Sequence, residues 1–165
     1  MPTAQIDARF GVPTATAPPW TAVERQLTEA ELYWLTTVRA DGRPHVTPLV
    51  GVWHGGAFAF CTGVGEQKQV NLTGSPLVAV TTGSPAWTSG TDLVVEGRAE
   101  RVLGRDALDP LARAWREKYG ADWAWQADDE TFVGDDGSRP WVYAVRPAKV
   151  LAFGKDPHSQ TAYRF

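Results

Sequence analysis

Apolar and polar positions alternate with a period of two over most of the chain, and that spacing predicts strands. Ala57–Thr62 sets Phe58 and Phe60 against Ala57 and Ala59, a strand with two unlike faces. Trp34–Arg39 is rich in β-formers and runs into Asp41-Gly42, a hairpin turn signal. A second strand, His45–Trp53, follows, and His54-Gly55-Gly56 turns the chain into Ala57–Thr62. Pro48 removes a ladder donor from that second strand, which puts it at an edge or at a bulge, where ligands meet backbone. Leu77–Thr82 reads as a buried strand and Asp92–Leu103 as a long one bent at Gly97, and Trp141–Val145 and Val150–Phe153 close the sheet. Helical spacing is clearest where Leu108, Leu111, Ala112, Trp115 and Tyr119 recur on one face. Asp106 or Asp109 caps that helix, Pro110 fits its first turn, and Gly120 stops it. Two shorter helices are predicted. One begins near Thr28, where Thr28 and Glu31 fit a capping box; the other covers Glu66–Leu72 and ends at Gly74-Ser75-Pro76.

The first 20 residues, with Pro13, Pro18 and Pro19, read as an arm with little regular structure, and residues 21–165 as a single domain. Gly83–Gly90 is a Ser/Pro/Gly loop holding Trp87, and residues 121–138 form an acidic loop or lid with two tryptophans. There is no internal repeat. Many antiparallel strands with few short helices predict a mainly β fold, and a sheet of that length avoids open edges by closing into a barrel.

Composition narrows the function. Hydrophobic residues make up 43% and charged residues 21% of 165, which is globular. A net charge of -3 gives no sequence-independent pull toward nucleic acid or anionic membranes. No apolar run approaches the roughly 18 residues of a membrane helix. Cys61 is the single cysteine, so an internal disulfide and a cysteine-rich metal site are excluded, which suits a reducing cytoplasm. Its place in a strand marks it as a small buried residue rather than a nucleophile. His45, His54 and His158 lack metal-binding spacing, and no Gly-x-Ser-x-Gly elbow is present. Asp128-Asp129-Glu130 and Asp135-Asp136 fit a solvated loop as well as paired carboxylates. The 8 tryptophans suit a large core and an interface, or in part a pocket for a flat ligand.

The chemistry concentrates in Thr62–Leu72. A strand ends at Thr62, a turn containing Gly63 and Gly65 follows, and a helix opens with Lys68 in its first turn. Helix starts present unpaired N–H groups and the positive end of the dipole. With the Thr62 hydroxyl and the Lys68 charge they make a phosphate seat. The P-loop pattern is absent.

Four stretches carry a family likeness. Arg39–Leu49, with its Asp41-Gly42-Arg43-Pro44-His45 hairpin, resembles the first hairpin of the pyridoxamine 5'-phosphate oxidase-like superfamily. Phe60–Gly63 with Gln67–Leu72 and Ser75-Pro76 resembles its phosphate-binding segment, and Val94–Glu100 its next long strand. Within that superfamily the hairpin and the Tyr163-Arg164-Phe165 tail look most like the deazaflavin-dependent reductases. The resemblance implies a six- to seven-stranded antiparallel split β-barrel, a homodimer, and a cofactor between subunits, coenzyme F-420 (a deazaflavin) ahead of FMN. It implies that Lys68 holds the cofactor phosphate beside Thr62 and Gly63. Gln67 belongs to the same segment, and Asn71 supports the helix start. Val46, Thr47 and Pro48 would lie along the ring system, and Tyr163 and Arg164 would reach across the interface. Trp87, Trp123 and Trp125 are assigned to the substrate side. Glu66 and Gln67 stand where the family often has a hydroxyl residue and an arginine, which places a negative charge near the phosphate. The function implied is hydride transfer between the cofactor and a small organic substrate. The alternatives are a flavin, deazaflavin or haem carrier without turnover, and a scaffold with an empty groove.

Overall fold

The computed structural model describes residues 1–165. The elements run β1 (Thr3–Ile6), α1 (Trp20–Glu29), β2 (Tyr33–Val38), β3 (Pro44–Leu49), β4 (Val52–His54), β5 (Ala57–Thr62), α2 (Gln67–Gly74), β6 (Leu77–Thr82) and β7 (Thr91–Arg101). Then come α3 (Arg105–Tyr119), a 3-10 turn at Ala121–Trp123, β8 (Gln126–Ala127), β9 (Phe132–Val133), β10 (Trp141–Lys155) and β11 (His158–Arg164). Nine strands form one antiparallel sheet in the order β1-β11-β10-β7-β6-β2-β3, with β5 pairing β10 and β4. β8 and β9 form a separate ribbon.

The sheet forks on β10. One edge of that strand pairs with β7 from Tyr143 to Gly154. The other pairs with β5 from Trp141 to Val145, and then with β11 from Lys149 to Lys155. The branches therefore diverge, and β3, β4 and β1 remain as open ends. Full closure, expected from the edge-strand argument, does not occur: the barrel is split. Nine strands replace the expected six to seven because β1 and β4 join as short edge strands.

Two cores result. Val23 and Leu27 of α1 pack with Tyr33, Leu35, Phe58, Phe60, Val80, Val95, Val145, Val150 and Tyr163. Leu108, Leu111, Ala112 and Trp115 of α3 pack with Val52, Ala59, Phe132 and Val142. The two faces of β5 serve different cores, with Phe58 and Phe60 on one side and Ala59 on the other. The period-two contrast in Ala57–Thr62 is thus large-core against small-core, not core against solvent.

Several sequence expectations need correction. The segment 1–20, read as an arm with little regular structure, carries one short strand, Thr3–Ile6, which pairs with β11 from Arg164 to Thr161. The first helix ends, rather than begins, near Thr28: the Thr28 hydroxyl donates back to the Glu24 carbonyl at 2.8 Å, inside the last turn of α1. His45–Trp53 divides into β3 and β4 around Val50-Gly51. Trp141–Val145 and Val150–Phe153 are one strand, which absorbs Pro147 as an irregularity opposite Gly97. Pro110 falls in the second turn of α3, after Gly104. The segment 121–138 is ordered as a 3-10 turn and a two-stranded ribbon.

One sheet face is left uncovered. In the register of β2, β3 and β6, residues Trp34, Thr36 and Val38 stand beside Pro48, Val46 and Pro44, with Ala79 and Thr81 opposite. Trp34, Val38, Val46 and Leu77 are exposed apolar side chains on this face. No helix is long and apolar enough to cross a membrane.

Candidate functional site

A groove of about 720 Å³ opens where the end of β5, the start of α2 and the β3–β4 connection meet the 3-10 turn and the segment leading into β10. Pro48, Leu49, Val50, Trp123 and Trp125 line its apolar part. Lys68, Thr62 and Gly63 sit at its polar end, and Ser138, Arg139 and Pro140 close it.

The polar end follows from local sequence. Strand β5 stops at Thr62, Gly65 takes φ +84°, and Glu66 sits in extended backbone at the N-cap of α2. This sharp turn brings Lys68 back beneath the strand end, where its residue is only 9% exposed. The helix is tied down by a chain of amides running inward from its exposed side. Gln67 Nε2 donates to Asn71 Oδ1 at 2.7 Å, and Asn71 Nδ2 donates to Thr37 Oγ1 on β2 at 2.8 Å.

The donors of the seat converge on one group already in the chain. Lys68 Nζ pairs with Glu66 Oε2, the Gly63 N–H donates to Glu66 Oε1 at 3.0 Å, and the Thr62 hydroxyl donates to Glu66 Oε2 at 3.3 Å. Partial burial works to raise the Glu66 carboxyl, but the hydrogen bonds from Lys68 and Gly63 and the lysine charge outweigh it. They hold it below the usual carboxylate range. Burial pushes the Cys61 thiol on the groove wall up to about 12, with the Lys68 charge pulling only partly back, which disfavours the thiolate.

The aromatic wall is fixed by stacking. The Trp125 ring lies 5.8 Å from Phe132 at 15°, and Trp123 meets Trp125 edge-on at 6.2 Å. Beside Trp123, the Tyr119 hydroxyl accepts from the Gly51 N–H at 3.1 Å, and Lys118 Nζ donates to the Gly51 carbonyl at 3.1 Å. These bonds hold the connection that carries Val50.

Of the residues assigned from sequence, Lys68, Thr62, Gly63 and Pro48 line one groove together with Trp123 and Trp125. Gln67 and Asn71 brace α2 from outside it. Val46 points to the uncovered sheet face, and Thr47, on the opposite face of the same strand, sits 3.5 Å from His45 Nδ1. Trp87 is 89% exposed on its loop and does not line the groove. Tyr163 does not reach outward: it is fully buried, stacks near Trp20 at 5.4 Å, and donates to the Pro18 carbonyl of its own chain at 2.6 Å. Arg164 is exposed at the end of β11, beside Thr3, and also lies outside the groove. Leu32, Ser138, Arg139 and Pro140 line the groove without having been singled out, since nothing in their local sequence marks them.

Comparison with known proteins identifies the family and the fold. The profile of the family described as pyridoxamine 5'-phosphate oxidase matches residues 20–151. No curated protein matches the sequence. Among solved structures, a heme binding protein from Mycobacterium smegmatis superposes with TM-score 0.67 at 18% identity, over 88% of this chain and 59% of that one. An F-420 reductase superposes with TM-score 0.56 at 24% identity, over 76% and 94%. The FAD binding protein from Mycobacterium smegmatis gives 0.54 at 17% identity, over 88% and 94%. At these identities the likeness is one of fold. The family profile spans most of the chain, from α1 into the second half of β10, and includes every element that builds the polar end of the groove, so the chain belongs to the pyridoxamine 5'-phosphate oxidase-like split-barrel superfamily.

Proposed function

We propose that this chain is an oxidoreductase that binds a flavin-type cofactor in the groove and works as a homodimer on a small organic substrate. The observation that carries the reading is the groove itself: a cavity of about 720 Å³ lined by aromatic and aliphatic side chains, with one nearly buried cation among its polar residues. Its walls suit a planar ring system, and its polar end suits the ring's anionic tail.

In this reading the bound cofactor supplies the hydride chemistry. The chain's residues bind and orient. Pro48, Leu49 and Val50 flank the ring edge, Trp123 and Trp125 exclude water from the opposite side, and Lys68 sets the position of the tail. No catalytic acid is assigned to a side chain. Coenzyme F-420 is the favoured cofactor and FMN the second. FMN ends in a doubly charged phosphate monoester, which matches poorly a seat that already holds a carboxylate. The fold likeness to an F-420 reductase supports the same order. The uncovered apolar face beside Pro48 supports pairing with a second copy, and the single cysteine is consistent with a cytoplasmic protein.

A carrier without turnover is the second reading, favoured by the engagement of Lys68 with Glu66 and by the fold likeness to a heme binding protein. Titration of the purified protein with F-420, FMN and haemin, followed by absorbance, separates the readings. The enzyme reading expects saturable micromolar binding of F-420 or FMN and reoxidation of the reduced complex by an added acceptor. Lys68→Ala should weaken F-420 binding about tenfold, the loss of one charge-assisted hydrogen bond to a singly charged tail, and leave FMN binding nearly unchanged. Binding without reoxidation supports the carrier, and no binding of any of the three overturns both.

A further inference from the structure

We propose that Glu66 is the specificity element of the groove: its carboxylate takes the place of a ligand's phosphoryl group on Lys68, Gly63 and Thr62, so the groove selects flat ligands that do not present a phosphate monoester there. The inference rests on the reading of the groove as a flavin-type site, and concerns which members of that class it accepts.

The geometry is that of an anion bound in a seat. Both carboxylate oxygens are used, Oε1 by the Gly63 N–H at 3.0 Å and Oε2 by the Lys68 ammonium and the Thr62 hydroxyl. A phosphoryl group needs donors of this kind, and each is already committed. The close approach depends on Gly63, since a Cβ at that position would lie 2.8 Å from Glu66 Oε1. The cation is sequestered while the anion is not: the Lys68 side chain is 11% exposed and that of Glu66 49%. Glu66 is therefore free to swing outward, but a monoester dianion that displaces it must break the ion pair and then share the turn with a released carboxylate. A ligand whose tail arrives as a hydroxyl, or as a singly charged diester, meets less of that opposition. Glu66 makes no capping hydrogen bond to α2, so its side chain can be replaced without removing a helix cap.

Riboflavin, FMN and inorganic phosphate are the probes, applied to the wild type, Glu66→Ser, and Glu66→Ser/Lys68→Ala. Serine is a favoured N-cap residue, so the variant keeps the helix start. In the wild type, FMN and riboflavin affinities should agree within about threefold, because the phosphate gains no charge-assisted bond. In Glu66→Ser the preference for FMN should rise at least about tenfold, and the added Lys68→Ala change should abolish that gain. Independently of any flavin, the Gly63 amide resonance should shift saturably with inorganic phosphate in Glu66→Ser and not in the wild type. The proposal is overturned if the wild type already prefers FMN strongly and Glu66→Ser leaves the ratio unchanged. Phosphate titrating the Gly63 amide equally in both chains overturns it as well. Should neither flavin bind either chain while phosphate titrates the variant alone, the cofactor reading fails and the occupied seat stands.

Discussion

Three ionisable side chains, Lys118, Tyr33 and Cys61, report on the packing at and behind the groove. Lys118 is wedged between the Tyr33 and Tyr119 rings and donates to the Tyr33 hydroxyl at 2.9 Å and to the Gly51 carbonyl. Burial pushes its ammonium down to about 8 from 10.5, and the Glu31 charge offsets this only in part. Below about pH 8 the folded and unfolded chains both carry this proton. Above it the folded chain releases the proton first, so the unfolded state binds more protons and stability rises with pH. Tyr33 works the other way above pH 10, where its buried hydroxyl keeps a proton that the unfolded chain loses. Lys118 therefore adds a rising contribution to the urea midpoint between pH 8 and about 9.5, opposed from about pH 9 upward by the protons that Cys61 and Tyr33 retain, and Lys118→Met should lower the slope of the midpoint over that window. An unchanged slope in Lys118→Met would contradict the burial of Lys118. Cys61, with its thiol pushed up to about 12, should react with iodoacetamide at pH 8 roughly a thousandfold more slowly in the folded chain than in denaturant. Equal rates would mean that β5 does not bury this side chain as described.

At the scale of elements, α2 is held by side-chain amides more than by apolar contact, since of its residues only Lys68, Asn71 and Leu72 are buried. Asn71→Ala should cost about 1–3 kcal/mol, because it strips the buried Thr37 hydroxyl of its donor and frees Gln67. Denaturant unfolding measures this. Thr37→Val in the same background should recover part of the loss by removing the stranded polar group, and no recovery would show that the Asn71–Thr37 bond is not the cause. The same elements show what local sequence can specify. Ala57–Thr62 and Leu77–Thr82 were legible to the residue, because each is a clean run bounded by turn residues. The turn–Lys68 segment was legible because its donors lie within a few positions of one another. The continuity of β10 was not: Arg146-Pro147-Ala148-Lys149 has the composition of a break, and only its pairing with Gly97 shows that the sheet accommodates it. A Cβ at Gly97 would lie 2.3 Å from the Arg146 carbonyl, so the glycine admits the crossing. Start and end of α1 were confused because a capping-box pattern at Thr28–Glu31 overrode the weaker Trp20-Val23-Leu27 spacing. Leu32 and Ser138-Arg139-Pro140 come to the groove from two separate stretches through the topology of the sheet, and no short-range pattern encodes that.

The whole molecule leaves one face unfinished. Trp34, Val38, Val46 and Leu77, with Val46 55% and Leu77 61% exposed, lie on the side of β2, β3 and β6 that no helix covers. Both helices that build the cores, α1 and α3, pack elsewhere. Contiguous exposed apolar surface on a sheet is the mark of an interface. In the homodimer proposed above, a two-fold axis would let the same patch cover itself without new chemistry. β3 gives the pairing a functional meaning, for Val46 faces the patch while Pro48, two residues on, borders the groove. Ordering of the dimer and of the groove rim should therefore be coupled. Sedimentation equilibrium should give twice the 18.0 kDa chain mass for the wild type. Val46→Glu combined with Leu77→Glu sets like charges facing each other across the axis and should yield a folded monomer with an unchanged far-ultraviolet spectrum. If the groove is completed at the interface, that monomer should also bind F-420 or FMN at least about tenfold more weakly. A wild-type chain that sediments as a monomer at all concentrations removes the dimer. A monomeric variant that binds cofactor as tightly as the wild type leaves the groove self-sufficient within one chain.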